Sequence, residues 1–461
     1  MVSARSRLIV VANRLPVHRV KRASGSGWET SPGGLVSALA PMLREREGAW
    51  VGWPGYAGEA PRPFEHERMS LIPVGLSRSD LDGFYLGFSN ATLWPLYHDA
   101  VRYPEYHRRW WAPYVDVNNR FAKITARHVA DGDLVWVQDY QLQLVPLMLR
   151  QRKPGVRIGF FLHIPFPPVE LFAQLPWRQQ LLEGLLGADV VGFQTKVGAQ
   201  NFVRAARRFA GARGHEGLLE HRGRRIQVRH FPISIDYAAI DSAARRPEVA
   251  QAAAEIRKHT AGGRKLLLGV DRLDYTKGID LRLRAFETLL ERYENSNDVA
   301  CFVQIAVPSR EHSPEYADMR TRIEQLVGHI NGTYSERGLT PVHYLYRNIP
   351  FDELLAYYLA ADAMVVTPLR DGMNLVAKEY VATRFDNAGA LVLSEFAGAA
   401  QELKQAIQVN PHDVDGIAAA LDQALTMPQD EIERRMRSMR SRVRRHDVYA
   451  WASSFVEAMA S

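Results

Sequence analysis

The sequence predicts an α/β protein with two doubly wound parallel sheets, because the chain is long and its apolar runs alternate with helical segments. It has 461 residues, more than one hydrophobic core usually accommodates, so two domains of roughly 200 residues each are expected. Short apolar runs recur, each followed by a segment of helical periodicity. This alternation is typical of parallel sheets covered by helices on both faces. It occurs twice, which predicts two Rossmann-like domains.

The predicted strands are apolar runs spread along the whole chain. In order, they are residues 8–12, 134–137, 158–162, 190–193, 266–270, 302–307, 364–367 and 391–393. Within residues 276–293, Ile279, Leu283, Phe286 and Leu290 recur at helical spacing, which predicts an amphipathic helix between two of these strands.

Residues 234–264 are the best candidate for a domain boundary. This stretch is helical in pattern, rich in alanine and charge, lacks an apolar run of its own and ends in Ala261-Gly262-Gly263. We therefore expect an N-terminal Rossmann-like domain over residues 1–240 and a C-terminal one over residues 241–444. A last helix at about residues 445–461 is expected to pack back on the first domain.

The charge balance is basic without indicating a nucleic-acid protein. There are 58 Lys and Arg against 51 Asp and Glu, a net charge of +7. The basic residues are scattered, and the densest run, residues 434–445, lies beside an apolar helical stripe that favours a solvated outer face. We expect no nucleic-acid partner. A positive field does suit small anions such as sugar phosphates and nucleotides.

Compartment follows from cysteine usage and hydropathy. Cys301 is the only cysteine, so no internal disulfide can form and a reducing compartment is favoured. The run 8–12 is too short for a signal-peptide core, and no stretch approaches the ~20 apolar residues of a membrane span. The prediction is a cytoplasmic protein without a membrane partner.

Paired glycines precede the first predicted helix. Gly33 and Gly34 come after a polar loop and before Leu35, where backbone N–H groups at a helix start can approach an anion. Plain turn chemistry explains such a pair equally well. The sequence has no G-x-G-x-x-G, which argues against a dehydrogenase.

Two cations follow the predicted strand 266–270. Arg272 and Lys277 are five positions apart across a strand-to-helix turn, and ligands of open α/β sheets bind at the carboxyl ends of the strands. Together they can neutralise a diphosphate. The alternative is a surface pair that bridges to Asp271 or Asp274.

Two carboxylates follow the predicted strand 364–367. Asp371 and Glu379 are eight positions apart, which spans about 12 Å along a helix. This matches the distance between the sugar ring and the ribose of a nucleotide sugar. Backbone amides of residues 373–375 would face phosphate. The alternative is that these acids only complement the helix dipole.

Three more polar residues end predicted strands. His163 follows the run 158–162 and precedes a rigid proline-rich turn, and Asp139 occupies the equivalent place on the neighbouring strand. Asp139 can hold a hydroxyl or take its proton. Arg310 follows the run 302–307 and can clamp a second phosphate. A lone histidine is more often structural than catalytic.

No metal site is predicted. The D-x-D sequences at residues 131–133 and 413–415 are similar to a metal-binding motif found in some transferases, but the first precedes a strand and the second starts a helix. We expect no metal and no other cofactor.

These segments resemble the trehalose-6-phosphate synthase family, retaining glycosyltransferases of the two-domain GT-B type in glycosyltransferase family 20. The resemblance covers essentially the whole chain. It is carried by VANR (11–14), SPGGL (31–35), GW (52–53), FSNATLWP (88–95), QDY (138–140), FFLHIPFP (160–167), VDRLDYTKG (270–278) and TPLRDGMNLVAKE (367–379).

The resemblance implies a reaction and its substrates. Glucose would pass from a nucleoside-diphosphate glucose to glucose 6-phosphate, in a cleft faced by the two domains. The product would be trehalose 6-phosphate, with the donor's anomeric configuration retained. It implies no cofactor and leaves a homo-oligomer and the donor base open.

The resemblance also implies residue roles. Matching positions for the acceptor are Arg14, Tyr85 and Arg310 at its phosphate, Asp139 at its sugar, and Trp53 and Trp94 along its pocket. Matching positions for the donor are Gly33, Gly34, His163, Arg272, Lys277, Ile349 at the base, Asp371, Gly372, Met373, Asn374, Leu375, Val376 and Glu379. The catalytic set is Asp139, His163, Arg272, Lys277 and Asp371.

Two departures and two alternatives remain. Gln141 stands where many members carry His, and the loop 14–33 is long and basic, either closing over the donor or forming a plain excursion. One alternative function is a pseudo-glycosyltransferase that couples cyclitols. The other is a non-catalytic sugar-phosphate sensor.

Overall fold

The computed structural model describes residues 6–22, 25–31, 34–293, 299–310, 314–336 and 339–461. Their contacts divide the chain into two compact units. The first unit holds the described residues up to Ile233 and those from Tyr449 to Ser461, and the second unit holds Ser234–Val448. The predicted first-domain boundary, at residue 240, lies a few residues beyond this division.

The first unit contains a mixed ten-stranded sheet and a separate two-stranded hairpin. Its strands are β1 (Leu8–Arg14), β2 (Val17–Arg22), β3 (Gly25–Thr30), β4 (Ala49–Trp53), β5 (Phe64–His66), β6 (Met69–Pro73), β7 (Leu134–Gln138), β8 (Arg157–Leu162), β9 (Val190–Phe193), β10 (Arg213–His215), β11 (Gly217–His221) and β12 (Arg224–His230). Its helices up to residue 233 are α1 (Gly34–Glu45), α2 (Arg78–Asp80), α3 (Trp94–Tyr97), α4 (Arg108–His128), α5 (Val145–Arg152), α6 (Val169–Phe172), α7 (Arg178–Leu185) and α8 (Lys196–Phe209), with a π-helical segment at Leu81–Leu93 and a 3₁₀ turn at Tyr140–Leu142.

The strand order of this sheet is β10-β11-β12-β9-β8-β7-β1-β4-β6-β5. The inner strands from β12 to β6 are parallel, and antiparallel pairs close both edges. In the register of β7 and β8, Gln138 lies opposite Phe161. The residues that follow these two strands are therefore neighbours at one edge of the sheet.

The structure corrects the prediction of a loop over residues 14–33. β2 and β3 pair as an antiparallel hairpin, with Val17 opposite Thr30 and Arg22 opposite Gly25. Val17 is buried, and Trp28 of β3 stacks on Phe64 with ring centroids 5.1 Å apart. The apolar pattern did not predict the hairpin, because Val17 and Trp28, which hold it in place, are isolated among charged residues.

The second unit contains one fully parallel sheet. Its strands are β13 (Lys265–Arg272), β14 (Ala300–Val307), β15 (Val342–Leu345), β16 (Ala363–Val366), β17 (Ala390–Ser394) and β18 (Ile407–Val409). Its helices are α9 (Tyr237–Ala244), α10 (Pro247–Ile256), α11 (Ile279–Glu291), α12 (Pro314–Tyr334), α13 (Phe351–Ala360), α14 (Leu375–Thr383), α15 (Val414–Thr426) and α16 (Gln429–Arg445), with a π-helical turn at Arg257–Ala261 and 3₁₀ turns at Tyr275–Lys277 and Gly398–Gln401.

The strand order of the second sheet, β15-β14-β13-β16-β17-β18, places the switch point of the chain between β13 and β16. Ligands of doubly wound sheets bind outside the carboxyl ends of the strands at such a point. A continuous apolar core that includes Leu267, Phe286, Phe302 and Val365 supports the sheet. The residues after β13 and β16 are thus the place to look for a site.

The last helix, α17 (Val448–Ala460), packs on the sheet of the first unit. Phe455 stacks on Trp136 with ring centroids 4.4 Å apart and an interplanar angle of 7°. Gly159 of β8 permits the close approach, because a Cβ there would lie 2.3 Å from the Met459 sulfur. Among the described residues, no helix is long and apolar enough to cross a membrane.

Candidate active site

Lys277 and Asp371 form a close ion pair at the switch point of the second sheet. The Nζ of Lys277 lies 2.6 Å from the Oδ2 of Asp371, and both side chains are largely buried. Gly278 makes this possible with a left-handed φ of 61°, and a Cβ there would lie 2.6 Å from the Thr367 carbonyl oxygen. Of the two cations in the predicted pair, Lys277 therefore bonds to Asp371 rather than to Asp271 or Asp274.

Asn374 fixes the loop that carries Asp371. Its backbone is left-handed, with φ 84°, and its side-chain oxygen caps α14 by accepting a bond from the Ala377 amide at 3.1 Å. Its Nδ2 donates to the Oδ2 of Asp371 at 3.1 Å. Because the first N–H groups of a helix have no intrahelical partner, the amides of Leu375 and Val376 suit an anion.

The same loop is held from its other side by residues 397–399. The carbonyl of Met373 accepts a bond from the Ala399 amide at 2.8 Å. Gly398 approaches Gly372 so closely that a Cβ at position 398 would lie 2.0 Å from the Gly372 carbonyl oxygen. The segment from Asp371 to Asn374 is consequently fixed without help from a ligand.

A buried ion pair joins the strands behind these residues. Arg282 of α11 donates to Asp271 at 2.6 Å, to the Thr367 hydroxyl at 2.9 Å and to the Gln304 side-chain oxygen at 3.0 Å. It thereby ties the ends of β13 and β16 to the middle of β14. Sequence reasoning missed Arg282, although an arginine inside the apolar face of α11 was the available signal.

Arg310 is held by a second buried carboxylate. Its NH1 atom lies 3.6 Å from Asp274 Oδ2 and donates to the Tyr316 hydroxyl at 2.5 Å, while that hydroxyl donates to Asp274 at 2.9 Å. Burial acts to raise the pKa of Asp274, but Arg310, Arg272 and the Thr276 amide outweigh it and lower that pKa. Tyr316 is a further residue that sequence reasoning missed.

The remaining predicted donor residues of this unit lie around the same strand ends. Arg272 is the exposed last residue of β13, and Ile349 is half-buried just before α13. Glu379 lies in α14, where its Oε2 accepts a bond from the Tyr358 hydroxyl at 3.2 Å. Burial raises the pKa of Glu379, so its carboxyl group takes up a proton more readily than an exposed one.

Asp139 and His163 lie together in the first unit, at the ends of β7 and β8. The His163 backbone amide donates to Asp139 Oδ1 at 3.1 Å, and Asp139 has a left-handed φ of 70°. The Nε2 of His163 lies 2.8 Å from the Gln138 side-chain oxygen. With Nε2–H donating to that oxygen, Nδ1 is left as an acceptor.

Burial keeps the His163 imidazole neutral. It lowers the pKa of His163 to about 3, so the ring can exchange hydrogen bonds at neutral pH but carries no charge. Gln138, which is buried, was missed as a positioning residue. Its place directly before Asp139, at the end of an apolar strand, was the signal.

Arg14 is the last residue of β1, and its guanidinium group packs against aromatic rings. Its guanidinium carbon lies 4.6 Å from the Trp53 ring centroid, and the Trp53 and Tyr85 centroids are 6.0 Å apart. Gly55, with φ 99°, leaves room for this guanidinium, because a Cβ there would lie 2.5 Å from its NH2 atom. Three of the predicted acceptor residues are thus brought together.

Other predicted positions are placed as follows. Trp94 is buried, with its ring centroid 5.6 Å from that of Tyr140. Gly34 begins α1, whereas Gly33 lies outside the described residues. Arg310 belongs to the second unit and Arg14 to the first, so the predicted acceptor residues are divided between the units.

The aspartates of the D-x-D sequences have local roles. Asp413 caps α15 by accepting a bond from the Gly416 amide at 2.9 Å, and Asp133 accepts one from the Ala130 amide at 2.9 Å. In the described part of the chain, no group of three or more His, Cys, Asp or Glu side chains is placed to hold a metal ion. The expectation of no cofactor stays a prediction.

Known proteins are similar to this chain over nearly its whole length. The model for glycosyltransferase family 20 matches residues 6–461. The trehalose-6-phosphate synthase of Mycolicibacterium vanbaalenii is 56% identical, with the match covering 98% of this chain and 96% of that protein. Similarity of this extent over nearly the whole chain is sufficient to assign a protein to a family.

Two solved structures extend the likeness to the fold. The UDP-forming α,α-trehalose-phosphate synthase of Burkholderia xenovorans, solved with glucose-6-phosphate, is 37% identical with a TM-score of 0.91 over 99% of this chain and 100% of that one. The E. coli protein solved with UDP-2-fluoro glucose is 36% identical with a TM-score of 0.90 over 98% and 99%. The predicted GT-B fold class is confirmed.

Proposed function

This chain belongs to glycosyltransferase family 20, and from that premise we propose that it moves glucose from a nucleoside-diphosphate glucose onto glucose 6-phosphate. The product is α,α-trehalose 6-phosphate, and the donor's anomeric configuration is retained. The relatives support this assignment, because curated ones are trehalose-6-phosphate synthases. No comparison supports a cyclitol-coupling enzyme or a non-catalytic sensor.

The observation that carries the proposal is the Lys277–Asp371 pair. The ammonium of Lys277 is held 2.6 Å from a carboxylate beside the start of α14, where amides of the first turn favour an anion. As the bond between the donor's anomeric carbon and its diphosphate breaks, negative charge grows on the leaving oxygen. Lys277, with Arg272, stabilises that charge in place of a metal ion.

Proton transfer completes the reaction. The acceptor's anomeric hydroxyl oxygen forms the new bond to the donor's anomeric carbon, and its proton passes to an oxygen of the departing diphosphate. His163 does not supply a proton at neutral pH, because burial lowers its pKa to about 3. Its role is to hold the transferred glucose by hydrogen bonding, while Asp139 holds the acceptor sugar.

The acceptor phosphate is assigned to Arg14, Tyr85 and Arg310. Support comes from the two arginines, whose guanidinium groups match a phosphate in shape and charge. The base contact at Ile349 and the ribose contact at Glu379 belong to the proposal as well. So does the cytoplasmic location, which is supported by Cys301, a buried free thiol.

The test offers glucose 6-phosphate with UDP-, GDP- and ADP-glucose in separate reactions and follows nucleotide release and product mass. We expect release that depends on glucose 6-phosphate, with UDP-glucose among the donors used, and an α,α product by proton NMR. A protein that binds both substrates without turnover would support the sensor instead. Turnover only with a cyclitol pair would support the pseudo-glycosyltransferase.

A further inference from the structure

A cluster of cations lies in the first unit outside the predicted substrate residues. Arg204, Arg207, Arg208 and Arg213 line an open pocket of about 500 Å³, here called the arginine pocket. The first three are three and four positions apart on α8 and so share one face of the helix. Arg213 begins the edge strand β10.

The arginine pocket lies at the opposite end of the strands from Asp139 and His163. β7, β8 and β9 are parallel, so their carboxyl ends share one edge. α8 starts just after the carboxyl end of β9 and runs back for 14 residues, about 20 Å at 1.5 Å per residue. The arginines in its last two turns are therefore remote from the residues that follow β7 and β8.

The arginines of the pocket are exposed cations without carboxylate partners among the described residues. The nearest acids in sequence are engaged elsewhere. Glu216 accepts a bond from Gln200 at 2.9 Å and lies 3.8 Å from Lys196. Glu220, opposite Arg213 in the β10–β11 register, pairs with Arg225 at 3.5 Å. Four positive charges thus line one concavity.

We propose that the arginine pocket is a second ligand site, which binds a small molecule carrying two or more phosphate groups. A guanidinium presents a planar fork of N–H donors that matches phosphate oxygens, and arginine is favoured over lysine where such recognition matters. The pocket is open to solvent, and its volume of about 500 Å³ leaves room for a small molecule. This site does not depend on the proposed reaction.

The test uses tripolyphosphate as the probe and the full chain, by titration calorimetry at low ionic strength. Glucose 6-phosphate is present in excess to fill the predicted acceptor site, and the variant Arg272→Ala, Lys277→Ala measures the tripolyphosphate that binds at the predicted donor site. Beyond that amount, we expect the wild type to bind one equivalent, and the triple variant Arg204→Gln, Arg207→Gln, Arg208→Gln to bind this equivalent at least tenfold more weakly. The matched control is Arg437→Gln, Arg444→Gln, Arg445→Gln, which removes the same charge from exposed positions of α16 and should leave binding within twofold.

Three results would overturn the proposal. The first is that the wild type does not bind tripolyphosphate, and the second is that both triple variants bind it equally weakly, because bulk charge attraction would then explain the binding. The third is that the wild type binds a 20-nucleotide RNA but not tripolyphosphate. Turnover of the same preparations reports on the proposed reaction separately, since none of the six arginines is assigned a role in it. Tripolyphosphate binding at the predicted donor site persists in the pocket variant and is lost in Arg272→Ala, Lys277→Ala, so the two sites are told apart.

Discussion

Lys277 is the residue whose charge should matter most while the donor bond breaks. Lys277→Ala should lower kcat about 10²- to 10³-fold, the usual loss when one stabiliser of a developing anion is removed, with a smaller change in donor affinity. Steady-state kinetics and UDP titration separate the two effects. Lys265→Ala, which removes an exposed lysine paired with Asp362, is the control. A defect confined to donor affinity would contradict the leaving-group role.

Arg310 should act on the acceptor alone. Arg310→Ala should raise the KM for glucose 6-phosphate about 10- to 100-fold, because a charge-assisted hydrogen bond contributes about 1.5–3 kcal/mol, and should spare donor binding. Tyr316→Phe removes only the hydroxyl that bridges Arg310 and Asp274, so its KM should rise by a smaller factor. If Arg310→Ala left the KM for glucose 6-phosphate unchanged, the assignment of Arg310 to the acceptor phosphate would be wrong.

Gln138 offers a pH signature at His163. In the wild type, burial lowers the His163 pKa to about 3, so the ring stays neutral across the assay range. Gln138→Glu places a carboxylate 2.8 Å from Nε2 and stabilises the imidazolium, which raises that pKa. Activity should therefore fall as pH decreases through the raised pKa and recover at higher pH. The neutral variant Gln138→Met should lose activity equally at every pH; a flat profile for Gln138→Glu would refute the argument.

At the scale of elements, a buried ion pair anchors α14, the helix that follows the Asp371 loop. Lys378 Nζ lies 2.5 Å from Glu402 Oε2, with side-chain exposures of 1% and 7%. Burial acts to lower the pKa of Lys378, although Glu402 opposes it. Removing only the acid would take the carboxylate away from a buried cation, a change that typically costs about 3–5 kcal/mol.

Glu402→Ala should consequently lower the melting temperature of the second unit by roughly 10 °C, at about 2–4 °C per kcal/mol for a unit of this size. Replacing both partners, Lys378→Met with Glu402→Met, should restore most of the loss, because it leaves no buried charge. Glu324→Ala, in the exposed pair with Arg320, should change it by less than about 2 °C. Equal melting temperatures for Glu402→Ala and Glu324→Ala would contradict this account.

Elements also show where periodicity is a sufficient guide. The runs 266–270 and 302–307 lie inside β13 and β14 because fully buried parallel strands are continuously apolar. β12, by contrast, alternates polar residues with Ile226 and Val228 at the border of the antiparallel edge, and its pattern was missed. Arg440 was assigned to a solvated face, yet it is buried against Asp241 at 2.5 Å, since only the packing of α9 decides which face of α16 is covered.

At the scale of the whole molecule, Tyr449–Ser461 belongs to the first unit although it follows the second unit in the sequence. Phe455 is fully buried, so Phe455→Ala should destabilise that unit by about 3–5 kcal/mol. Chemical denaturation with Trp fluorescence, to which Trp136 and Trp451 contribute, measures the loss. Glu457→Ala, at an exposed position of the same helix, should leave stability within about 0.5 kcal/mol. An unchanged midpoint in Phe455→Ala would show that α17 is dispensable for the first unit.

The sequence by itself determined that polar residues such as Asp139, His163, Arg272 and Asp371 follow apolar strands. Parallel strands in a doubly wound sheet bring the residues that follow them to one edge of their own sheet whatever their neighbours are, so composition and period suffice. Only the tertiary structure decided their partners. Lys277 pairs with Asp371, 94 positions away, rather than with a nearby aspartate, because β16 lies beside β13 in the sheet. Strand order is set by packing of the whole core, and no local pattern encodes it.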